Sequence, residues 1–380
     1  MRPRIAIDAH MVGSQETGNE TYVVNLLRAL PGADRDRQFS YKALTLDPGT
    51  LQAHLGAGAG LEAVRVRPAS SLVRIPVSVP LLAMRERFDL LHMTYVAPPT
   101  PPCPVVVTVH DISYRLYPQY FPARVRWMLS LLVPISMRRA AKVITVSHSA
   151  KRDILTHYNV PEAKVAVTHE AAPPHFRQVA HRDALAGVKA QYGIETDFIL
   201  SVGNLQPRKN IRRLVEAYGK MPADLRKRYK LVVVGQALWQ HSDIYRAVTD
   251  RGLLSDVIFT GYVPEPDLVL LYNTAALFAY PSLYEGFGLP VLEAMACGTP
   301  VVTSNLSSLP EIAGDAALLV DPADETAISS AMATLLSDPH LARRLSAAGL
   351  QRARSFSWER TAIETLKIYR DVIGGSSHGL

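Results

Sequence analysis

Residues 280–300 read YPSLYEGFGLPVLEAMACGTP, and their punctuation gives a strand, a glycine turn and a short helix. The apolar run Ala276–Ser282 makes the strand, and Gly286 and Gly288 lie in the turn. Pro290 suits the first helical position, and Gly298 falls just past the helix end. Glycines let backbone N–H groups approach a ligand closely, and a helix start adds unpaired donors and the positive end of a dipole. In outline this is a phosphate site. Two carboxylates flank it: Glu285 before the helix, and Glu293 in about its first turn. Neither suits a diphosphate, because like charges repel, but both suit the neutral hydroxyls of a sugar and a ribose. The plain structural alternative makes Glu285 a solvated turn residue and Glu293 a complement to the helix dipole.

Outward from this stretch, short apolar runs alternate with helical patterns along the whole chain. The second half gives strands at Phe198–Gly203, Lys230–Gly235, Val257–Val263, Ala276–Ser282, Thr299–Ser304 and Ala317–Asp321. The first half gives Arg4–Ala9, Phe39–Leu46, Leu61–Arg67, Leu90–Met93, Val105–Asp111, Lys142–Ser147 and Val165–His169. Unbroken apolar strands such as Leu231–Val234 suit a parallel sheet covered on both faces. The alternation predicts an α/β, doubly wound architecture. It restarts once, after Ala171-Ala172-Pro173-Pro174, so two domains are expected with a cleft between them. Three helical stretches, Glu325–Leu336, Leu341–Ser355 and Trp358–Ile373, close the chain.

Three further segments carry candidate chemistry. Ser201–Asn210 follows a strand and opens a helix, with Asn210 as its N-cap. Arg208 and Lys209 then sit where the dipole is already positive, which disfavours both unless an anion lies between them. Val105–Val109 ends in His110-Asp111, which brings an imidazole to a strand end, either as a structural histidine or as a hydroxyl ligand. The loop Met11–Glu20 contains Gly13 and Gly18, which permit close backbone approach but do not form a dinucleotide fingerprint. Asp34-Arg35-Asp36 has D-x-D spacing, yet it lies in a charged turn after the first helix and is discounted as a metal site. Clustered Cys/His spacing, a P-loop and a G-x-S-x-G elbow are all absent from the sequence, which weakens zinc, Walker-type and serine-nucleophile chemistry.

Composition sets the class. The chain has 380 residues, 48% hydrophobic and 20% charged, enough for two soluble cores. Two cysteines fit a reducing compartment better than a disulfide framework. The N-terminus runs directly into a strand without a signal-peptide pattern, so a cytoplasmic protein is expected. Residues 1–175 hold 20 Lys+Arg against 13 Asp+Glu, whereas 176–380 hold 21 of each, so the first half carries the whole charge of +7. Such a half suits an anionic lipid surface or a phosphorylated acceptor; nucleic acid is excluded as a partner for want of any recognised binding motif. Pro122–Arg139, with Trp127, Met128, Leu129, Leu131 and Leu132 between arginine pairs, reads first as a buried core helix with basic ends. Its alternative is a membrane-surface helix, which would place the protein peripherally on the inner face of the membrane.

These residues resemble glycosyltransferase family 4, the retaining enzymes of the GT-B fold. The resemblance is densest from Ile199 to Tyr369. It rests on Gly203, Arg208-Lys209-Asn210, Gly261-Tyr262-Val263, Glu285–Pro290 with Glu293–Gly298, Leu309-Pro310-Glu311 and Phe356-Ser357-Trp358. The first half contributes Gly18, Thr108–Asp111 and Val146-Ser147. The resemblance implies two Rossmann-like doubly wound domains facing each other across a cleft: an acceptor-side domain at 1–175, a donor domain at 176–355, and a C-terminal helix at 356–380 crossing back. It implies a retaining hexosyltransferase moving a sugar, mannose or glucose first, from a nucleotide-diphosphate sugar to a glycan, lipid-linked or small-molecule acceptor. No divalent metal or other cofactor is expected.

By matching position, Arg208 and Lys209 would hold the phosphates and stabilise the departing diphosphate. Glu285 would bind sugar hydroxyls, assisted by the amides of Phe287, Gly288 and Leu289. Glu293 would bind the ribose, Val263 would lie near the base through its backbone, and His110 would lie near the transferred sugar. The glycines of the first loop are separated here, a departure from members in which they are adjacent, which weakens phosphate contacts from Gly13 or Gly18. A nucleotide-sugar epimerase or hydrolase on the same fold, and a non-catalytic nucleotide-sugar-binding subunit, remain alternative readings of the same residues.

Overall fold

The computed structural model describes residues 2–14, 17–56, 60–180, 182–236 and 242–376; Gln15 and Glu16 of the first loop lie outside the described residues. The chain forms two compact units, one running to Glu170 and resuming at Ser357, the other spanning Ala171–Phe356.

The first unit holds β1 (Arg4–Asp8), β2 (Ser40–Thr45), β3 (Glu62–Arg65), β4 (Leu90–Thr94), β5 (Val105–Thr108), β6 (Lys142–Thr145) and β7 (Val165–Val167). All pair in parallel, in the order β3-β2-β1-β4-β5-β6-β7. β4 and β5 are buried at every position, which is why they read as unbroken runs without alternation. The winding reverses between β1 and β4. At such a switch point neighbouring connections leave on opposite faces and open a crevice beyond the carboxyl ends.

Helices Val79–Glu86 and Ala123–Arg139 pack into one core cluster through Val79, Ala83, Val133 and Met137, against Leu91, Val107 and Val143. The core-helix reading of Pro122–Arg139 is corrected by its outer face. Trp127 is 73% exposed and Leu131 48%, with Ile135 also exposed, in a stripe at four-residue spacing between the exposed Arg124 and Arg138. Val133, Ser136 and Met137 are buried on the inner face, and Leu129 packs against the same core. The neighbouring segment adds Leu72, Val77, Leu81 and Met84 as exposed apolar side chains.

The second unit holds β8 (Asp197–Val202), β9 (Tyr229–Val234), β10 (Val257–Gly261), β11 (Leu277–Tyr280), β12 (Val301–Ser304) and β13 (Leu318–Val320). Their order is β10-β9-β8-β11-β12-β13, again all parallel, with the switch point between β8 and β11. Here the loops after β8 and β9 touch. A side chain on Gly235 (φ +148°) would put its Cβ 2.1 Å from the Gly203 carbonyl oxygen, so this approach requires glycine. Every strand expected from the sequence forms, most of them shorter than expected; β4 runs one residue further, to Thr94, and β8 and β9 start one residue earlier, at Asp197 and Tyr229.

Ala171–Phe176 goes with the second unit. The His175 ring lies 3.3 Å from the Glu265 carboxylate, and Phe176 packs edge-on to Tyr272. The terminal helix Trp358–Ser376 belongs to the first unit, where it packs on the helix Thr17–Ala33 and joins Tyr369 OH to His92 Nδ1 at 2.6 Å. Asp34 is a structural acceptor: its carboxylate takes hydrogen bonds from the Gln38 and Phe39 amides and from Tyr41 OH.

Candidate functional site

Beyond the carboxyl end of β8, Pro207–Lys209 make one short helical turn, and Asn210 follows with a left-handed backbone (φ 61°) before the helix Ile211–Gly219. The expected side-chain cap is not made. The Asn210 amide instead donates to the carbonyls of Pro281 (2.9 Å) and Pro322 (2.7 Å), tying the β8 loop to the turns after β11 and β13. Two buried carbonyls take up the amide group, while Asn210 Oδ1 accepts from Arg213 Nη1 of the following helix at 3.1 Å. Leu283 N–H donates to the Arg208 carbonyl at 2.9 Å, so the loops after β8 and β11 are joined at the switch point.

This joining brings together Arg208, Lys209 and Glu285. Arg208 Nη1 lies 2.8 Å from Glu285 Oε2, and Lys209 Nζ lies 2.8 Å from Oε1. The anion that the two cations require is therefore Glu285 itself, and the solvated-turn reading of that residue is corrected: it is 7% exposed. Two neutral groups complete the cluster. Tyr280 OH donates to Glu285 Oε1 at 2.8 Å and accepts from Lys209 Nζ at 2.5 Å, and Ser282 Oγ donates to Oε1 at 2.6 Å. Burial alone would raise the Glu285 carboxyl. The charges of Arg208 and Lys209, with hydrogen bonds from Lys209 and Ser282, override it and hold the group at about 2. The carboxylate is thus ionised throughout the physiological range.

Glu285 is followed by Gly288 (φ +110°), the N-cap of the helix Leu289–Ala296. A Cβ there would meet Leu309 Cδ2 at 2.7 Å, so close packing as well as the left-handed backbone demands glycine. Ser308 Oγ braces the turn through the carbonyls of Glu285 and Phe287. Glu293 lies beyond the first turn of this helix, not within it, and is buried. It faces inward because Tyr272 OH donates to its Oε2 at 3.0 Å. Burial pushes its carboxyl up; the Tyr272 hydrogen bond opposes, the Glu265 charge adds and His175 opposes, leaving it at about 7. Val263, just past β10, is buried.

In the first unit, His110 follows β5, buried, edge-on to Tyr22 with ring centroids 4.8 Å apart. Burial lowers its pKa to about 4, with Asp111 opposing, so the ring is neutral at pH 7. Gly18 is the second residue of the helix Thr17–Ala33, and a Cβ there would meet open space; its amide is one of the first-turn donors of that helix, not a loop donor.

The structure thus unites Arg208, Lys209 and Glu285 in direct contact, with Phe287, Gly288 and Leu289 in the adjoining turn. The sequence reading missed Tyr280, Ser282 and Tyr272. A signal existed for the first two, since strand alternation puts residues 280 and 282 on one face. Tyr272 sits in another helix, and nothing in its spacing points to Glu293.

Residues 17–174 match the profile of Glycosyltransferase Family 4, and residues 189–352 that of Glycosyl transferases group 1. The chain is 39% identical over 267 residues to the O-antigen chain mannosyltransferase B of Escherichia coli, covering 70% of each chain. It is 36% identical over 227 residues to the serotype-specific mannosyltransferase WbdA of the same organism, spanning 59% of this chain and 28% of that one. Among solved structures, the sucrose-phosphate synthase of Thermosynechococcus elongatus superposes with a TM-score of 0.78 over 98% of this chain and 100% of that one, at 23% identity. Anabaena HepE, solved with UDP and glucose, gives 0.75 over 97% and 100% at 19% identity. Both units carry the Rossmann-like winding of the GT-B glycosyltransferases, and the chain belongs to glycosyltransferase family 4.

Proposed function

We propose that this glycosyltransferase moves mannose, with retention of configuration and without a divalent metal, from GDP-mannose to a mannose-containing glycan acceptor. The carrying observation is the Arg208–Glu285–Lys209 cluster at the β8/β11 switch point, beside the start of the helix Leu289–Ala296. A guanidinium fork and an ammonium supply the positive charge that a cation supplies elsewhere, and a helix N-terminus adds to it. On this reading the diphosphate replaces Glu285 as their counter-charge, and Glu285 turns to hydroxyls of the sugar. The Phe287, Gly288 and Leu289 amides assist, Glu293 takes the ribose hydroxyls, and Val263 lies beside the base. The bond from C1 to the β-phosphate oxygen breaks as the acceptor oxygen bonds to C1 on the same face. The acceptor proton passes to the departing phosphate, and GDP leaves. The choice of mannose rests on the mannosyltransferases this chain resembles.

Incubated with GDP-mannose and an α-mannosyl oligosaccharide, the protein is expected to give an α-linked product at a rate unchanged by EDTA. Release or rearrangement of the sugar at the same rate without acceptor would instead favour a hydrolase or epimerase. Donor binding that never leads to turnover would favour a binding subunit.

Membrane contact belongs to the same proposal. The Trp127–Leu131–Ile135 stripe between Arg124 and Arg138 offers apolar insertion flanked by charge suited to anionic headgroups, as a peripheral protein on the cytoplasmic face requires. Among the described residues no helix is long and apolar enough to cross a membrane. Cosedimentation with phosphatidylglycerol vesicles at low salt is expected, weakened about tenfold by Trp127→Glu and also weakened by high salt. No binding at low salt ends the idea.

A further inference from the structure

Between β3 and β4 the chain is helical over 71–86, α-helical at its ends and π-helical across Arg74–Ser78, a winding that recurs at functional sites. Arg74 is only 5% exposed, while Leu72, Val73 and Val77 around it face solvent. Its Nη1 donates to the Ala69 carbonyl, the one hydrogen bond that the guanidinium makes among the described residues. No carboxylate pairs with it there, although Arg65 meets Asp47 at 3.4 Å and Arg85 meets Glu86 at 3.1 Å. Arg67, two residues before Ala69, is exposed and also has no acid partner among the described residues.

The costs on Arg74 add up. A buried cation without a counter-charge is strongly disfavoured. Its place in the first turn of a helical stretch puts it at the positive end of the backbone dipole. One neutral carbonyl balances no charge and leaves most of the guanidinium's donors unmet. Arg208 and Lys209 meet the same demand within the fold, through Glu285. Arg74 has no such acid, so its anion comes from outside the chain. A guanidinium presents paired N–H groups that match the oxygens of a phosphate, and a phosphate has oxygens enough for two such forks.

We propose that Arg74, with Arg67 at the same turn as a second cation, binds a phosphate group on the first unit. The site is separate from the Arg208–Glu285–Lys209 cluster, which lies in the second unit, and does not depend on the transfer reading. The phosphate is either that of a phosphorylated sugar or that of a lipid headgroup, whose chains would meet the exposed Leu72, Val73 and Val77. The experiment separates the two sources.

The test is the 1H–15N spectrum of the guanidinium groups in the full chain labelled at arginine, with the Arg74 signal identified by its loss in Arg74→Lys. Inorganic phosphate, added at constant ionic strength, is expected to move that signal to saturation, and chloride is not. Mannose 1-phosphate should act at lower concentration than inorganic phosphate if a sugar carries the group. Dihexanoyl phosphatidylglycerol, kept monomeric, should do so if a lipid carries it, and α-methyl mannoside should leave the signal in place. Equal action of all three phosphates keeps the site and shows that the phosphate alone is recognised. Arg67→Gln should raise the concentration for half-saturation by about threefold, the scale of one exposed charge, and an unchanged value removes Arg67 from the site. If Arg74→Lys does not fold, wild-type crystals soaked in selenate give a second measurement: anomalous density for selenium is expected within hydrogen-bond reach of Arg74. A signal that none of the phosphates moves, one that chloride moves equally, or selenium density found only elsewhere overturns the site.

Discussion

Lys209→Ala is expected to lower kcat for mannosyl transfer by about 10²–10³-fold, the usual effect of removing one preorganised group that stabilises developing charge. On the proposed reading the charge at issue develops on the departing diphosphate, and Lys209 would supply one of the two cations facing it. Its ammonium is held by Glu285 Oε1 and by Tyr280 OH, and lies 5.1 Å from the Tyr280 ring centroid, so it is oriented before any ligand arrives. Truncation removes that charge but leaves Glu285 with Arg208, Tyr280 and Ser282 as partners. The second unit should therefore remain folded, which circular dichroism and thermal melting can verify. Lys209→Arg should not rescue, because a planar fork cannot reproduce a point charge between a carboxylate and a phenol. Full activity in Lys209→Ala, with a melting curve like the wild type's, would remove the electrostatic basis of the transfer reading.

The same cluster shows what the sequence could and could not disclose. The strands were legible because buried parallel strands are unbroken apolar runs and glycines punctuate their ends. The helix Leu289–Ala296 was legible from Pro290 and Gly298. Arg208 and Lys209 were legible as cations in need of an anion, but not as partners of Glu285, because that pairing depends on β8 lying beside β11. Strand order is a property of the sheet, and nothing local in residues 201–210 encodes it. Asn210 stands at the N-cap position as expected but makes no side-chain cap, for a related reason: the carbonyls that capture its side chain come from residues 281 and 322. Arg74 carried no signal at all, since a lone arginine in a helical run looks like any surface cation. Ala123–Arg139 was misjudged because its apolar residues outnumber the positions its neighbours can cover. Periodicity alone does not say which of two apolar faces meets the core.

Glu293→Gln is expected to act in opposite directions on stability and on donor affinity. The folded-state pKa of Glu293 is raised from 4.5 to about 7, so the native protein holds this proton more tightly than the unfolded chain does. Ionising the buried carboxyl therefore destabilises the fold: the group carries no penalty below about pH 4.5, loses stability as pH rises from there, and carries the full penalty above about pH 7. Glutamine keeps the shape and cannot ionise. At pH 8 the variant should be more stable by on the order of 2 kcal/mol, or roughly 5 °C in Tm, and at pH 5 the difference should nearly vanish. Binding runs the other way. An ionised carboxylate can accept from two neighbouring ribose hydroxyls, and such charge-assisted bonds are worth about 1.5–3 kcal/mol each, so the variant should bind GDP-mannose about 10²-fold more weakly at pH 8. Wild-type affinity should fall as pH drops below about 7, where Glu293 takes up its proton, while the variant's affinity stays level. Calorimetric titration of GDP-mannose at pH 6 and pH 8 measures both slopes. Equal affinity in the two proteins at pH 8 would show that Glu293 is a buried structural acid with no ligand. A loss of affinity with no gain in Tm would show that ionising Glu293 costs the empty fold nothing, with Tyr272 sufficient to hold the charge.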